Sequence, residues 1–203
     1  MVKAKNIIFD LGGVLLNLDF QRTTKAFSEI GLNAIEDLFR LGHAGSFFKD
    51  HEKGSITDEE FIAAIENLPG NKGTIAQIKA AWNALLLDFP KERVVWLGQL
   101  KHKYRLFLFS NTNAIHLASF QQSFKNVHRF QMDELFERTY YSHLAKIRKP
   151  EPAAYELVLK ENKLKAEETL FIDDALINVE AAQSIKIQGI HLQPGVEVTS
   201  LEL

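Results

Sequence analysis

The sequence predicts an α/β protein built on a doubly wound, Rossmann-like parallel sheet with an inserted helical segment, and three observations predict it. Short apolar runs recur along the chain, and several end on an acid or a hydroxyl; segments with helically spaced apolar residues separate them; and residues 10–104 lie between the first two runs. Strands alternating with helices of this length make a parallel sheet covered on both faces. The span between the first two runs is too long for one crossover, because structureless loops beyond ~15 residues are uncommon in compact domains.

The first run, Asn6-Ile7-Ile8-Phe9, closes on Asp10 and is followed by Gly12-Gly13, a fully buried strand and a glycine-permitted sharp turn. Arg105-Leu-Phe-Leu-Phe109 ends on Ser110-Asn111, Thr139-Tyr-Tyr141 is a further candidate strand, Thr169-Leu-Phe-Ile172 ends on Asp173-Asp174, and Gly189-Ile-His-Leu192 precedes Pro194-Gly195. Helical patterns fall on Glu92–Lys101, Pro152–Asn162 and Ile177–Ile185, with a further helix following Ser110. Within the long span, Thr57-Asp-Glu-Glu60 is a capping box ahead of Phe61, Ile62 and Ile65. The stretches 21–31, 34–42 and 74–88 also carry helical spacing, notably Ile75, Ile78, Trp82, Leu85 and Leu86. A small helical unit of about four helices over residues 16–88 is therefore expected, set on a core formed by 1–15 and 89–203.

Composition narrows the function. The chain of 203 residues is 46% hydrophobic and 25% charged, which excludes a disordered or coiled-coil protein. Its 24 Lys and Arg against 26 Asp and Glu leave a net charge of -2, so no bulk basic field attracts nucleic acid or an anionic membrane. There is no Cys, hence no disulfide scaffold and no thiol nucleophile. No apolar run approaches a membrane span of ~20 residues, and Met1–Asp10 lacks the apolar core of a secretion signal. The expectation is a cytoplasmic protein, a monomer or weak homodimer, with a small-molecule partner.

In an open α/β sheet, ligands bind outside the carboxyl ends of the strands, where strand order reverses. Asp10, Ser110 and the pair Asp173-Asp174 all occupy such ends. Singly, each has a structural explanation: Asp10 as a turn cap, Ser110-Asn111 as an Asx-type turn, Asp173-Asp174 as a helix start. Turn chemistry alone gives no reason for acids and hydroxyls to converge after buried strands. The physical reading is phosphoryl transfer: Asp10 and Asp174 repel unless a cation sits between them, and Mg²⁺ takes hard oxygen ligands. Ser110, Asn111 and Lys149 then supply donors and positive charge for phosphoryl oxygens.

The set Phe9-Asp10-Leu11-Gly12-Gly13-Val14, Ser110-Asn111-Thr112-Asn113, Arg148-Lys149-Pro150 and Phe171-Ile172-Asp173-Asp174 resembles the four motifs of haloacid dehalogenase (HAD) superfamily hydrolases. Leu18-Asp19-Phe20, His51-Glu52-Lys53-Gly54-Ser55-Ile56 and Ser110–Asn113 with His116 resemble the α-D-glucose-1-phosphate phosphatase-like subgroup. The resemblance implies a HAD-like Rossmannoid core over 1–15 and 89–203 with a C1-type helical cap over 16–88 that selects substrate. It implies Asp10 as the nucleophile forming an aspartyl-phosphate and Lys149 as the cation neutralising Asp10 and the phosphate. Ser110 and Asn111 would hold phosphate. Asp10, the Gly12 carbonyl and Asp174 would hold Mg²⁺, with Asp173 behind them.

One departure matters. Most phosphatases of the superfamily carry an acid/base Asp two residues after the nucleophile, where this chain has Gly12. Loss of a general acid costs ~10²–10⁴-fold and is best tolerated with an acidic leaving group, such as an anomeric sugar oxygen. The expected function is a Mg²⁺-dependent phosphatase of a small phosphorylated metabolite, a sugar phosphate such as a sugar 1-phosphate. A dehalogenase-type hydrolase and a catalytically degenerate metabolite-binding module are the alternatives. His116 either faces the crevice as a substitute acid or substrate contact, or packs at its helix start. His43, Phe47 and His51 either meet a sugar or belong, as packed Phe and solvated His, to the helical unit itself. His102, His128, His143 and His191 lack ligand spacing, Trp82 and Trp96 sit at core-like positions, and 160–168 is a solvated helix end.

Overall fold

The computed structural model describes residues 4–33, 35 and 47–203; most of the expected 34–42 helix, and His43, lie outside the described residues. Five parallel strands, β1 (Asn6–Phe9), β2 (Arg105–Ser110), β3 (Arg138–Tyr141), β4 (Thr169–Asp173) and β5 (Gln188–His191), form one sheet in the order β3-β2-β1-β4-β5. Ile8 pairs with Phe107 on one side and Phe171 on the other, so β1 is central. The order grows outward from β1 through β2 and β3, then returns to its other flank at β4. The switch point of the sheet is therefore the β1–β4 boundary, where Asp10 and Asp173-Asp174 emerge.

The described helices are α1 (Phe20–Glu29), α2 (Phe47–Glu52), α3 (Asp58–Glu66), α4 (Ile75–Asn83), α5 (Lys91–Leu100), α6 (Ala114–His128), α7 (Ser142–Ala145), α8 (Pro152–Asn162) and α9 (Leu176–Ser184). Both sheet faces are dry, which is why the strands read as unbroken apolar runs. Ile7, Phe9, Leu106, Leu108, Leu170 and Ile172 face Leu97, Leu100, Phe120 and Phe124 of α5 and α6. The intervening Ile8, Phe107, Phe109 and Phe171 face Tyr155 and Val158 of α8 and Ala182 of α9.

The helices between β1 and β2 bury a separate cluster: Phe27, Phe61, Ile62, Ile65, Ile78 and Trp82 pack together, with Ile115 of α6 completing it. Thr57 and Thr74 each close a capping box, with Glu60 and Gln77 respectively. The helical spacing over 74–88 overruns the helix, which ends at Asn83. Leu86 instead bridges Leu18, and Leu87 N–H donates to the Asn17 carbonyl at 3.0 Å, because the chain leaving the helical segment is held against the chain entering it. Phe47 and Phe48 pack on Phe61, so they belong to this cluster. His51 is neither solvated nor turned to a ligand: it is buried, stacks on Phe61 at 4.0 Å, and its Nε2 lies 2.7 Å from Asp58 Oδ1.

Phe61 is wholly buried, and its ring meets those of Phe47, Phe48, His51 and Trp82. Phe61→Ala is expected to lower unfolding free energy by about 3–5 kcal/mol in urea denaturation, the range for truncating a buried aromatic.

Candidate active site

A cavity of about 220 Å³ opens at the carboxyl ends of β1, β2 and β4, and Asp10, Gly12, Ser110, Asn111, Lys149 and Asp174 all line it. Residues separated by more than a hundred positions meet there because parallel strands all deliver their C-terminal residues to one edge.

Lys149 is the hub. Its ammonium lies 2.7 Å from Asp10 Oδ1 and 2.6 Å from Asp173 Oδ2, within a side chain only 1% exposed. The rings of Phe109 and Phe171, 5.7 and 5.3 Å away, line its other sides. Burial alone would depress the ammonium, but the two carboxylates outweigh it and hold its pKa above the usual lysine value. Asn111 positions this lysine: its Nδ2 donates to the Lys149 carbonyl and its Oδ1 accepts from the Lys149 N–H, both at 2.9 Å. The Asn111 side chain is thus clamped to the Lys149 backbone, with one Nδ2 hydrogen remaining beyond this pair of bonds. Ser110 differs, since its hydroxyl joins no hydrogen bond among the described residues.

The acids are unequal. Both Asp173 oxygens are occupied: Asn178 Nδ2 donates to Oδ1 and Oδ2 at 3.0 and 3.1 Å, the Ala175 N–H donates to Oδ1 at 2.8 Å, and Lys149 takes Oδ2. No described side chain donates to the Asp174 carboxylate. Burial, with Asp173 adjacent, pushes its pKa up. Asp10 is pushed further, to about 7: burial raises it most, Lys149 pulls it down, and Asp173 and Asp174 push it up again. Carboxylate oxygens of Asp10, Asp173 and Asp174 lie within 4.8 Å of one another, a hard-oxygen cluster suited to a divalent cation. Gly13 makes this approach possible. Its φ is +73°, and a Cβ there would overlap the Asp174 carboxylate.

Gly12 does not require glycine for its backbone. A Cβ at Gly12 meets Leu18 Cδ1 at 2.6 Å, so the leucine occupies the space into which an acid at this position would project. His116 lines the cavity, but its ring is buried, and burial followed by the nearby His51 lowers its pKa to about 3. Both effects favour the neutral ring.

Three further residues escaped the sequence reading. Asn178 orients Asp173 from the first turn of α9. Ser142 Oγ accepts from the Thr112 N–H at 2.9 Å and donates to the Glu52 carbonyl at 2.7 Å. Arg148 Nε donates to Glu52 Oε2 at 3.0 Å beside the ion pair of the same groups. The strand-end logic that found Ser110 applies equally to Ser142 after β3, whereas nothing in the sequence pairs Arg148 with Glu52.

The haloacid dehalogenase-like hydrolase family matches residues 4–186. The chain belongs to this family. It is 24% identical over 194 residues to a D-ribitol-5-phosphate phosphatase of Bacteroides thetaiotaomicron, covering 95% of this chain and 94% of that protein. It is 29% identical to a sesquiterpene phosphatase of Aspergillus oryzae, covering 98% and 94%. A HAD family enzyme of Bacteroides thetaiotaomicron, solved in complex with magnesium and inorganic phosphate, superposes with a TM-score of 0.89 at 38% identity over 96% of both chains. The HAD fold and these phosphatase relatives are consistent with a phosphoric monoester hydrolase. Among the described residues no helix is long and apolar enough to cross a membrane.

The Asp10 environment sets a pH dependence. In metal-free protein the folded state binds the Asp10 proton up to about pH 7, while the unfolded state releases it near the ordinary aspartate value of 3.8. The folded state thus holds the extra proton between these values, and stability falls as pH rises through the window. Chemical denaturation in EDTA should show this decline, and Asp10→Asn should flatten it and leave the protein more stable than wild type above pH 7.

Proposed function

We propose that the protein is a Mg²⁺-dependent phosphatase of a small phosphorylated metabolite, a sugar phosphate whose ester oxygen is a good leaving group, such as a sugar 1-phosphate. The observation that carries this reading is the convergence of Asp10, Lys149, Ser110 and Asp174 on one cavity. Asp10, the Gly12 carbonyl and Asp174 would hold the cation, with Asp173 behind them anchoring Lys149. Bound there, the cation offsets negative charge on the acids and on the phosphoryl oxygens, and favours the ionised form that a nucleophilic Asp10 needs.

Asp10 attacks phosphorus, the bond to the ester oxygen breaks, and an aspartyl-phosphate forms. Water then attacks phosphorus, inorganic phosphate leaves, and the Asp10 carboxylate is regenerated. Lys149 and the Ser110 hydroxyl meet phosphoryl oxygens, and Lys149 also keeps Asp10 from full protonation. The helical segment 16–88 acts as a cap on a core of 1–15 and 89–203. Leu16, Leu18, Phe20, Leu85 and Leu86, from its entering and returning chains, wall the side of the cavity where the organic group would lie. No side-chain acid is available at Gly12, and the leaving oxygen departs largely unprotonated by the protein. That favours anomeric and aryl esters over primary alkyl esters.

Asp10→Asn is expected to abolish Mg²⁺-dependent hydrolysis of 4-nitrophenyl phosphate while circular dichroism remains native; near wild-type turnover would overturn the nucleophile. Across a series of phosphate esters, wild-type kcat should rise steeply as leaving-group pKa falls. Restoring a carboxyl by Gly12→Asp, with Leu18→Ala to clear its path, should flatten that slope. A flat wild-type slope at the chemical step would mean that another group already supplies the proton.

A further inference from the structure

We infer that His116 is the residue that selects substrates bearing a hydroxyl on their organic part, accepting a hydrogen bond from that hydroxyl at Nε2 while Asn83 fixes the ring's tautomer. The inference rests on the phosphatase reading and deepens it. His116 lies in the first turn of α6, where the Asn113 side chain caps the helix by accepting from the His116 N–H at 2.9 Å. Its ring stacks on Trp82, with centroids 4.6 Å apart and planes 19° from parallel, so its plane is set by the helical segment. Nδ1 lies 2.9 Å from Asn83 Oδ1. A carbonyl oxygen only accepts, so Nδ1 carries the ring proton and Nε2 keeps a lone pair.

Nε2 bonds to no described residue, and His116 is one of the residues lining the cavity. Much of the surrounding wall is carbon, from Leu16, Leu18, Phe20, Leu85, Leu86 and Phe120. An apolar wall by itself discriminates poorly between hydroxylated and bare groups of similar size, whereas one fixed acceptor penalises a ligand that brings no donor, because Nε2 is then desolvated and unpaired. A sugar or polyol phosphate satisfies it, and an aryl phosphate does not. Asn83 comes from α4 and His116 from α6, so the segment over the cavity and the core build this contact jointly.

The test compares kcat/KM for D-glucose 1-phosphate and D-ribitol 5-phosphate with that for 4-nitrophenyl phosphate, which has no hydroxyl. His116→Leu should lower kcat/KM for at least one hydroxylated ester about tenfold, the scale of one lost hydrogen bond, whereas kcat/KM for the aryl ester, which no longer faces an unpaired Nε2, should not fall. His116→Gln, which returns an acceptor near the Nε2 position, should recover most of the loss. Equal losses on all three esters, or an unchanged ratio in His116→Leu, would overturn the inference. Long-range ¹H–¹⁵N NMR of the imidazole gives a readout independent of turnover. It should show an Nδ1–H tautomer whose Nε2 resonance shifts with ribitol 5-phosphate and Mg²⁺ but not with inorganic phosphate and Mg²⁺; an Nε2–H tautomer, or the same response to both, would refute it. Failure of the phosphatase reading looks different, since wild-type protein would then leave the aryl ester intact with Mg²⁺ present.

Discussion

The site depends on one buried cation shared by two buried acids. Lys149 is 1% exposed, and Asp173 is fully buried. An ammonium so far from water is tolerable only with carboxylates in contact, and those carboxylates are tolerable only with the ammonium between them. Removing Lys149 strands the buried carboxylates with no cation to offset them. The surrounding structure follows from that requirement. Asn111 grips the Lys149 backbone from the end of β2, and Asn178 and the Ala175 N–H fill the remaining lone pairs of Asp173 from the start of α9. Asp10 and Asp174 are then left at the cavity with more negative charge than the one lysine offsets.

Among the described residues, polar contacts tie the helical segment to the core both near β1 and beside Lys149. Near β1, the chains entering and leaving it pair through Leu18 and Leu86, and Asn17 links them to the core by donating to Asp88 and accepting from the buried Arg93. Beside Lys149, Glu52 receives Arg148, and Lys53 meets Glu151 at 2.6 Å. The second tie starts at the residue preceding Lys149, so the positions of α2 and of the buried lysine are mechanically linked. Trp82 against His116 adds an aromatic contact between the two parts. A ligand in the cavity therefore meets a wall whose placement is set by both.

Much of this was legible in the sequence. The central strands β1, β2 and β4 were visible because both of their faces are dry, which leaves apolar runs such as Ile7–Phe9 and Leu170–Ile172, whereas β3 and β5, less buried, left weaker runs. Strand-end positions alone bring Asp10, Ser110 and Asp173-Asp174 together. The end of α4 was not legible, since Leu85 and Leu86 continue the helical spacing while their backbone turns to meet residues 17–19. Nor was His51, because burial of a histidine by an aromatic face and a capping-turn Asp leaves no periodic signal. The assignment of Asn111 to positioning Lys149 depends on a contact across 38 residues, which spacing alone cannot reveal. The same holds for Leu18 filling the space beside Gly12: the absence of an acid was plain in the sequence, but what stands in its place was not.

The central claim is that phosphoryl transfer passes through Asp10. The stereochemical course at phosphorus tests it most directly, using an ester made chiral at phosphorus with oxygen isotopes. Attack by Asp10 followed by attack by water inverts the centre twice, so the account predicts inorganic phosphate with net retention of configuration. Net inversion would show that water attacks the substrate in a single step and would contradict it.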